Sequence, residues 1–314
     1  MTYITIDGGT TTTRVSLVAD REIKNTIKLS VGARKSMDGG ADYKGEIGNA
    51  VNKLLAESGL EAKDVSRILA SGMITSEFGL CNLPHIVAPA GICELHENMH
   101  ETVIPEISDI PFVFIRGVKS VSEDLSETDM MRGEETELCG LMSQGDGECM
   151  YILPGSHSKL VFTDKDGRIS KFSTMLTGEM IFALSQSTIL KDAVDLSISE
   201  TDEEYLLMGD DYCRKHGINE ALFKVRILKN LFGATPVQCY SFFLGVVLSA
   251  ELDAVRGCDI GKIVIGGRSQ IKNAMAKILG KTTDKEIVCA DDKAVDESTP
   301  TGLVKIYEYR KKVR

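Results

Sequence analysis

One order of elements occurs twice in the chain and constrains its fold more than any other feature. "ITIDGGTTTTRVSLV" (4–18) predicts two apolar strands joined by a loop of glycine and hydroxyl residues, and a third strand follows. "MYILPGSHSKLVFT" (150–163) starts the same order again, with Gly155 and Ser156 in its loop. Helical and strand patterns alternate after each start, which is typical of layered α/β domains. The sequence therefore predicts an α/β protein of two domains, over residues 1–145 and 146–314.

The spacing of apolar residues predicts the elements that follow each start. A last helix is expected over about 297–312, and we expect it to pack back on the first domain. The other predicted elements are helices over 42–58, 90–103, 134–142 and most of 178–256, and strands at 67–71, 111–115, 262–267 and 286–290.

Charge and cysteine usage limit the class of partner. A formal net charge of −10 argues against a protein that binds nucleic-acid backbones, because such binding needs clustered Lys and Arg. Eight scattered cysteines without a CxxC pair indicate free thiols in a reducing compartment. The most apolar segment, "CYSFFLGVVLSAELDAV" (239–255), carries acids after about ten residues and is too short to span a bilayer. We therefore expect a cytoplasmic protein with no nucleic-acid and no membrane partner.

The first loop has the chemistry of a phosphate-binding turn. Its glycines let the backbone approach a ligand, and successive N–H groups and threonine hydroxyls make an anion-binding concavity. Arg14 can donate two hydrogen bonds to a phosphate, and Asp7 can orient hydrated Mg²⁺. An ordinary hairpin, whose threonines only favour the strand conformation, is the alternative. The predicted phosphate ligands of this loop are Gly9, Thr10, Thr11, Thr12 and Arg14.

The second loop makes the plain hairpin a poorer explanation, because two such loops could grip nucleotide phosphates from both sides. A pair of glycines between a predicted strand and a helix could also lie against a flat nucleoside, although a tight turn explains that pair equally well. The chain has neither a Walker P-loop nor a GxGxxG dinucleotide fingerprint. The predicted nucleotide ligands of the second half are Gly155, Ser156, His157, Ser158, Lys159, Gly266 and Gly267.

Several segments resemble known families. The pattern D-x-G-T-T-x-T-R over 7–14, the second loop and "VIGG" (264–267) are similar to the actin, Hsp70 and sugar-kinase superfold. That resemblance implies two ribonuclease-H-like domains that close over ATP, with the sugar-acid site in the first and the nucleotide site in the second. The segments that resemble the narrower 2-keto-3-deoxygalactonate kinase family are "GMI" (72–74), "MRGEETELCG" (131–140), "LPGSHSKLV" (153–161) and "MLTGEM" (175–180).

The family resemblance implies a reaction and a base. ATP and Mg²⁺ would serve to phosphorylate the C6 hydroxyl of 2-dehydro-3-deoxygalactonate, and a carboxylate would accept the hydroxyl proton. In other sugar kinases of the superfold, Gly-Asp-Gln opens a helix before the second phosphate loop, and Gly133-Glu134-Glu135 stands in that place here. Glu134 is therefore the predicted base, with Glu135 as the alternative and Glu179 as a weaker one. Asp7 is the predicted metal ligand.

A sugar acid also needs cations or N–H donors for its carboxylate. Arg132 adjoins the predicted base, and Arg116 ends a predicted strand, whereas Arg34 and Lys35 are weaker candidates. The predicted substrate ligands are Gly72, Met73, Arg116, Arg132, Thr177 and Glu179.

The sequence also leaves other functions open. A gluconate-derived epimer or another hexonate could be the acceptor. A sugar-sensing regulator, an ATPase activator with an iron–sulfur cluster and a protein without catalysis are further alternatives, although the scattered cysteines argue against the cluster. The expected partners are the sugar acid and ATP, and a homodimer is left open.

Overall fold

The structure is a computed structural model and describes residues 1–33, 42–143, 146–267 and 269–310. Arg34 and Lys35 lie outside the described residues. The chain divides into two compact units, and each is built from separate stretches of sequence. Unit 1 consists of Met1–Gly147, Thr163–Phe172 and Lys293–Arg314, and unit 2 consists of Glu148–Phe162 and Ser173–Asp292.

A six-stranded sheet forms the basis of unit 1. The elements up to Leu141 are β1 (Thr2–Gly8), β2 (Thr13–Ala19), β3 (Glu22–Leu29), α1 (Tyr43–Ser58), β4 (Arg67–Gly72), β5 (Ile86–Val87), α2 (Ile92–Glu97), β6 (His100–Ile104), β7 (Ser108–Phe114), β8 (Val118–Ser120), β9 (Asp129–Met131) and α3 (Glu134–Leu141). The strand order is β3-β2-β1-β4-β7-β6, and β1 pairs antiparallel with β2 and parallel with β4. Asp7 and Gly8 therefore lie beside Ser71 and Gly72, where both parallel strands end.

A five-stranded sheet of order β12-β11-β10-β13-β14 forms the basis of unit 2. The remaining elements are β10 (Cys149–Leu153), β11 (Ser158–Thr163), β12 (Ile169–Met175), α4 (Thr177–Ser187), α5 (Glu203–His216), α6 (Ile218–Leu231), α7 (Pro236–Arg256), β13 (Lys262–Ile265), α8 (Ser269–Thr282), β14 (Glu286–Cys289) and α9 (Asp292–Tyr307). β13 is parallel to both β10 and β14.

Both sheets share one strand order. β3-β2-β1-β4 in the first sheet corresponds to β12-β11-β10-β13 in the second, so each start of the sequence lays its third, second, first and fourth strands side by side. The predicted α/β class and the repeated order of elements are confirmed.

The alternation of residues along β1 sets its two faces. Ile4 and Ile6 are fully buried and pack against Ile47 and Leu54 of the amphipathic helix α1. Because successive strand residues point to opposite faces, Asp7 belongs to the other face. The acid at the end of β1 is thus kept out of the apolar core under α1.

Helix α9 covers part of that other face. The ring of Tyr307 meets the ring of Tyr3 edge-on, with centroids 5.5 Å apart. Lys305 Nζ donates to the carbonyl oxygens of Cys139 and Gly140 at 3.1 and 3.0 Å, which satisfies acceptors that the end of α3 leaves open. α9 therefore joins β1 and α3 in unit 1.

Helix α7 is the core helix of unit 2. It is 21 residues long and apolar enough to cross a membrane by length and composition, but 72% of its apolar window is buried inside the structure. Pro236 stands in its first turn, and Thr235 and Gln238 form a capping box at its start. Packing inside a unit explains its apolar composition without a membrane.

Two predicted elements were wrong in extent. Within residues 90–103 the chain forms the short helix α2 and then enters β6, whose β-branched Thr102 and Ile104 pair antiparallel with β7 at the edge of the sheet. The last helix begins at Asp292 and contains Pro300 in its interior. A proline inside a helix normally interrupts it. Here the helix continues through Pro300 and packs closely on α3, where the missing side chain of Gly140 leaves room for the Ser298 carbonyl.

Candidate active site

The loop between β1 and β2 is a tight turn. The Gly9 N–H donates to the Thr12 carbonyl at 2.9 Å, and the Ala33 N–H donates to the Gly9 carbonyl at 3.1 Å. Thr10 and Thr11 are exposed at the tip. Thr13 is buried and donates from Oγ1 to the Val31 carbonyl at 2.8 Å, so it anchors the turn instead of facing a ligand. The turn presents two of the predicted threonine hydroxyls to solvent.

Asp7 and Arg14 face each other at the base of this turn. Arg14 NH1 lies 3.3 Å from Asp7 Oδ2, and the two side chains are 39% and 27% exposed. Burial raises the pKa of the Asp7 carboxyl, Arg14 opposes that rise, and the nearby charge of Glu134 adds to it. Two carboxylates and one guanidinium therefore meet where β1 ends.

Two glycines allow this meeting. Gly72 has a φ of +87°, and a Cβ there would lie 2.5 Å from the Gly8 carbonyl oxygen. Gly133 has a φ of +114°, and its Cβ would lie 3.2 Å from the Gly72 Cα. Only glycine adopts such conformations without strain and with such close backbone contact. The start of α3 consequently sits against the end of β4, beside Gly8 and Asp7.

The two neighbouring glutamates of α3 have different environments. Glu134 is half-buried, and its Oε2 accepts the Arg132 N–H at 3.0 Å. Glu135 is fully buried, and its oxygens accept the Gly133 N–H at 2.8 and 2.9 Å. Burial and the charge of Glu134 raise the pKa of Glu135 to about 8. The roles of Glu134 and Glu135 as base stay predictions, and the structure buries the carboxyl of Glu135 in the interior of unit 1 while that of Glu134 is half-buried.

Arg132 is engaged with the protein backbone. Its guanidinium donates to the Thr75 carbonyl at 2.7 Å, to Thr75 Oγ1 at 2.6 Å and to the Leu83 carbonyl at 3.0 Å. These bonds hold the segment after β4 against α3, so a structural role explains its position. Arg116 donates from Nε to the Asn98 carbonyl at 2.9 Å. The predicted contacts of Arg116 and Arg132 with a sugar acid remain predictions, as do those of Gly72 and the half-buried Met73.

The loop between β10 and β11 exposes a short tip. Gly155, Ser156 and His157 are exposed, whereas Ser158 and Lys159 are 0% and 4% exposed. Lys159 Nζ donates to the His157 carbonyl at 3.1 Å, inside the loop. The predicted phosphate contacts of Gly155, Ser156 and His157 are therefore compatible with their exposure, and those of Ser158 and Lys159 stay predictions.

The start of α4 holds this tip from one side. The Glu179 N–H donates to the Ser156 carbonyl at 3.2 Å, and His157 Nε2 lies 3.0 Å from Glu179 Oε1. A Cβ on Gly178 would lie 2.3 Å from the Gly155 carbonyl oxygen. The absence of a side chain at Gly178 thus lets α4 touch the tip.

A buried carboxylate holds the loop from below. Ser158 Oγ donates to Glu251 Oε1 at 2.5 Å, and Thr177 Oγ1 donates to Glu251 Oε2 at 2.6 Å. Glu251 is 2% exposed, and burial raises its pKa while the two hydroxyls oppose that rise. The predicted ligand roles of Ser158 and Thr177 stay predictions, and in the structure both hydroxyls donate to Glu251 in the interior of unit 2.

The predicted nucleoside turn lies on the other side of the second loop. The Gly266 N–H donates to the Ile152 carbonyl at 2.8 Å. Gly267 has a φ of +74°, and its Cβ would lie 2.7 Å from Pro154 Cδ. One turn further on, Gln270, Asn273, Ala276 and Lys277 of α8 line a cavity of about 530 Å³ together with Ser199, Glu200 and Thr201.

Sequence reasoning missed Glu251 and Thr75. Glu251 stands in an apolar helix, 93 residues from Ser158, so only the unusual acid within that helix marks it. Thr75 gives no signal of its own, because it acts by accepting from a distant arginine.

Known proteins share this chain's sequence and fold. A model of the family described as 2-keto-3-deoxy-galactonokinase matches residues 7–306. A protein of Rhizobium meliloti (strain 1021) named "Probable 2-dehydro-3-deoxygalactonokinase DgoK1" is 34% identical over 128 residues, which are 40% of this chain. The chain spans 40% of the length of this curated relative.

Two solved structures show the same architecture. A candidate 2-dehydro-3-deoxygalactonokinase from Sinorhizobium meliloti is 23% identical, with a TM-score of 0.79 over 97% of each chain. Component A of the (R)-2-hydroxyglutaryl-CoA dehydratase of Acidaminococcus fermentans is 14% identical, with a TM-score of 0.51 over 98% of this chain and 96% of that one. At such identities these likenesses establish the fold alone. Because the family model covers nearly the whole sequence, the chain belongs to the 2-keto-3-deoxy-galactonokinase family.

Proposed function

We propose that the protein transfers the γ-phosphoryl group of ATP to the C6 hydroxyl of 2-dehydro-3-deoxy-D-galactonate. The products are the 6-phosphate and ADP, and the reaction serves galactonate catabolism. Family membership supports the kinase class and the sugar-acid acceptor. The cytoplasm is the proposed compartment, because all eight cysteines are free thiols.

The position of Glu134 carries the proposal. A half-buried carboxylate at the start of α3 stands beside Asp7, at the edge of the sheet from which the Gly9–Thr12 turn projects. A kinase of this type needs a carboxylate that accepts the proton of the acceptor hydroxyl as the phosphoryl group is transferred. Glu135 is sealed in the interior, so Glu134 is the base that we assign.

The two loops have the chemistry for phosphates. The exposed Thr10 and Thr11 hydroxyls and the N–H groups of their turn donate to anionic oxygens, and Arg14 adds a cation at the base of that turn. In unit 2, the tip at Gly155–His157 offers a second set of donors. We assign the nucleoside to the cavity that is lined by α8. Its first lining residue on this helix, Gln270, follows Gly267 by about one turn.

Mg²⁺ suits the acid at the end of β1. This cation prefers oxygen ligands and is commonly held by one or two carboxylates together with substrate phosphates. Asp7 is a partly exposed carboxylate whose pKa is raised by burial and, to a smaller extent, by the neighbouring Glu134, so a cation at Asp7 would offset the repulsion between the two carboxylates. Among the described residues, no group of three or more His, Cys, Asp or Glu forms a metal cage. When bound, Mg²⁺ supplies charge neutralisation to the phosphates.

The test is ADP release from Mg-ATP across a panel of acceptors. The panel contains 2-dehydro-3-deoxy-D-galactonate, its gluconate epimer, D-galactonate and D-galactose. We expect turnover with the first acid, and a ³¹P signal split by two carbon-bound protons, as an ester at C6 requires. If only the gluconate epimer is turned over, the assigned substrate would change, whereas phosphoryl transfer from ATP to a sugar acid would stand. If the folded protein releases no ADP with any of these acceptors, the proposed kinase activity is refuted.

A further inference from the structure

One buried side chain of unit 2 joins two segments that are far apart in sequence. Glu251 lies five residues before the end of α7 and accepts from Ser158, the first residue of β11, and from Thr177, the first residue of α4. Each of its oxygens takes one hydroxyl. The two donors are 93 and 74 residues away from it along the chain.

These two contacts define where the exposed tip at Gly155–His157 stands. The tip is followed directly by Ser158, so the bond to Glu251 fixes its exit. Thr177 stands two residues before Glu179, which bonds to the tip through its N–H and its carboxylate. Glu251 therefore fixes both the loop and the helix start that touches it, although it contacts neither the tip nor solvent.

Burial of a carboxylate at this place has a cost that an apolar side chain would avoid. A buried carboxyl needs compensating hydrogen bonds, and the two hydroxyls supply them. A leucine of similar volume would pack in α7 without this cost. What Glu251 supplies and leucine cannot is a fixed geometry between β11 and α4.

We propose that Glu251 is a positioning residue that holds the β10–β11 loop and the start of α4 in the geometry that binds the phosphates of ATP. This inference rests on the proposed function, since it takes the tip at Gly155–His157 as a phosphate-binding element. Glu251 touches no substrate and acts through the Ser158 and Thr177 hydroxyls. Its loss would loosen the tip and leave the acceptor site of unit 1 unchanged.

The experiment compares three changes of the same contact. Glu251→Leu removes both acceptors, Glu251→Gln keeps the shape and one carbonyl acceptor, and the double variant Ser158→Ala/Thr177→Val removes both donors. The readouts are the Kd of Mg-ADP by calorimetry, the KM values of ATP and the acid, and amide hydrogen exchange of peptides over 154–158 and 176–180 without ligand.

We expect Glu251→Leu to raise the Kd of Mg-ADP and the KM of ATP about tenfold, the size of one lost hydrogen bond of this kind. The KM of the acid should change less than about twofold, because the proposed acceptor residues belong to unit 1 and the loosened segment belongs to unit 2. Exchange should accelerate over both peptides. Glu251→Gln should restore most of the affinity, and the double variant should reproduce the loss.

Asp210→Asn is the matched control. Asp210 is a second buried acid of unit 2, 1% exposed, and it pairs with Arg256 at 2.6 Å and Arg214 at 3.3 Å. Its change should lower the free energy of unfolding and leave the Kd of Mg-ADP unchanged. A loss of nucleotide affinity equal to that of Glu251→Leu would reduce Glu251 to a general stabilising residue.

The outcomes separate the two proposals. Wild-type protein that binds Mg-ADP and phosphorylates no acid refutes the proposed function, while the Kd and exchange comparisons still test Glu251. If the double variant binds Mg-ADP like wild type, with unchanged exchange, the positioning role is overturned. That result decides the matter even if Glu251→Leu does not fold.

Discussion

The contact between Gly178 and the tip of the second loop allows a quantitative prediction. A Cβ on Gly178 would lie 2.3 Å from the Gly155 carbonyl oxygen and 2.8 Å from the Ser156 Cα, while ordinary van der Waals contact begins at about 3.4 Å. Both neighbours are backbone atoms, so no side chain can turn aside. Gly178→Ala must displace the tip or the start of α4 by about 1 Å.

The size of the effect follows from that displacement. A misplacement of about 1 Å in a substrate-positioning element costs about 10²-fold in rate. Alanine also favours a helix over glycine by about 1 kcal/mol, so α4 itself should not be weakened. We therefore expect kcat/KM for ATP to fall about 10²-fold in a protein that stays folded.

The control is Gly280→Ala on α8. A Cβ at Gly280 would meet no atom of the described residues within 4 Å, so only the gain in helix propensity remains. Steady-state kinetics with varied ATP and thermal unfolding should be measured on both variants. If Gly178→Ala keeps kcat/KM within about threefold of the control, the second loop is not positioned by α4, and its role in phosphate binding loses its support.

Two further changes test unit 1. Glu134→Gln should lower kcat by about 10²–10⁴-fold and leave the Kd of Mg-ADP nearly unchanged, because only proton acceptance is lost; turnover that survives within a few-fold would assign the base elsewhere. Glu135 has a folded-state pKa of about 8 against an ordinary value of 4.5, so folded protein binds more protons than unfolded protein between these pH values. Its contribution to the free energy of unfolding therefore falls as pH rises through that window, by up to about 1.4 kcal/mol per pH unit. Urea unfolding between pH 5 and 8 should show a flatter profile for Glu135→Gln than for wild type; parallel profiles would mean that Glu135 is ionised in the folded protein.

Sequence alone predicted the two loops, the strands beside them and the four later strands at 67–71, 111–115, 262–267 and 286–290. The tight turn at Gly9–Thr12 follows from glycine and hydroxyl residues between two apolar strands, and the repeated order of elements corresponds to the strand order that the two sheets share. The predicted helix over 90–103 was wrong, because the apolar spacing of a helix and that of an edge strand are hard to distinguish over a few residues. There, antiparallel pairing with β7, which begins four residues after β6 ends, decides the conformation.

The sequence shows which chemical groups the candidate site residues carry, but not in which direction their side chains point. Ser158 and Thr177 carry the right hydroxyls, yet both point inward, because Glu251 lies beneath them. Glu134 and Glu135 are adjacent residues of the same type, so the sequence does not distinguish them. The turn at Gly133 decides which of the two carboxylates is buried. Long-range contacts of this kind leave no spacing that a reader of the sequence could measure.

The return of α9 to unit 1 has a consequence for synthesis on the ribosome. β1 is made first, but Tyr3 receives the ring of Tyr307 only after all of unit 2 has been translated. Unit 2 lies within one stretch that is complete by Asp292, apart from the excursion at 163–172, so its core can close while unit 1 still lacks a layer. The half of the protein that begins to emerge first is therefore the half that finishes folding last.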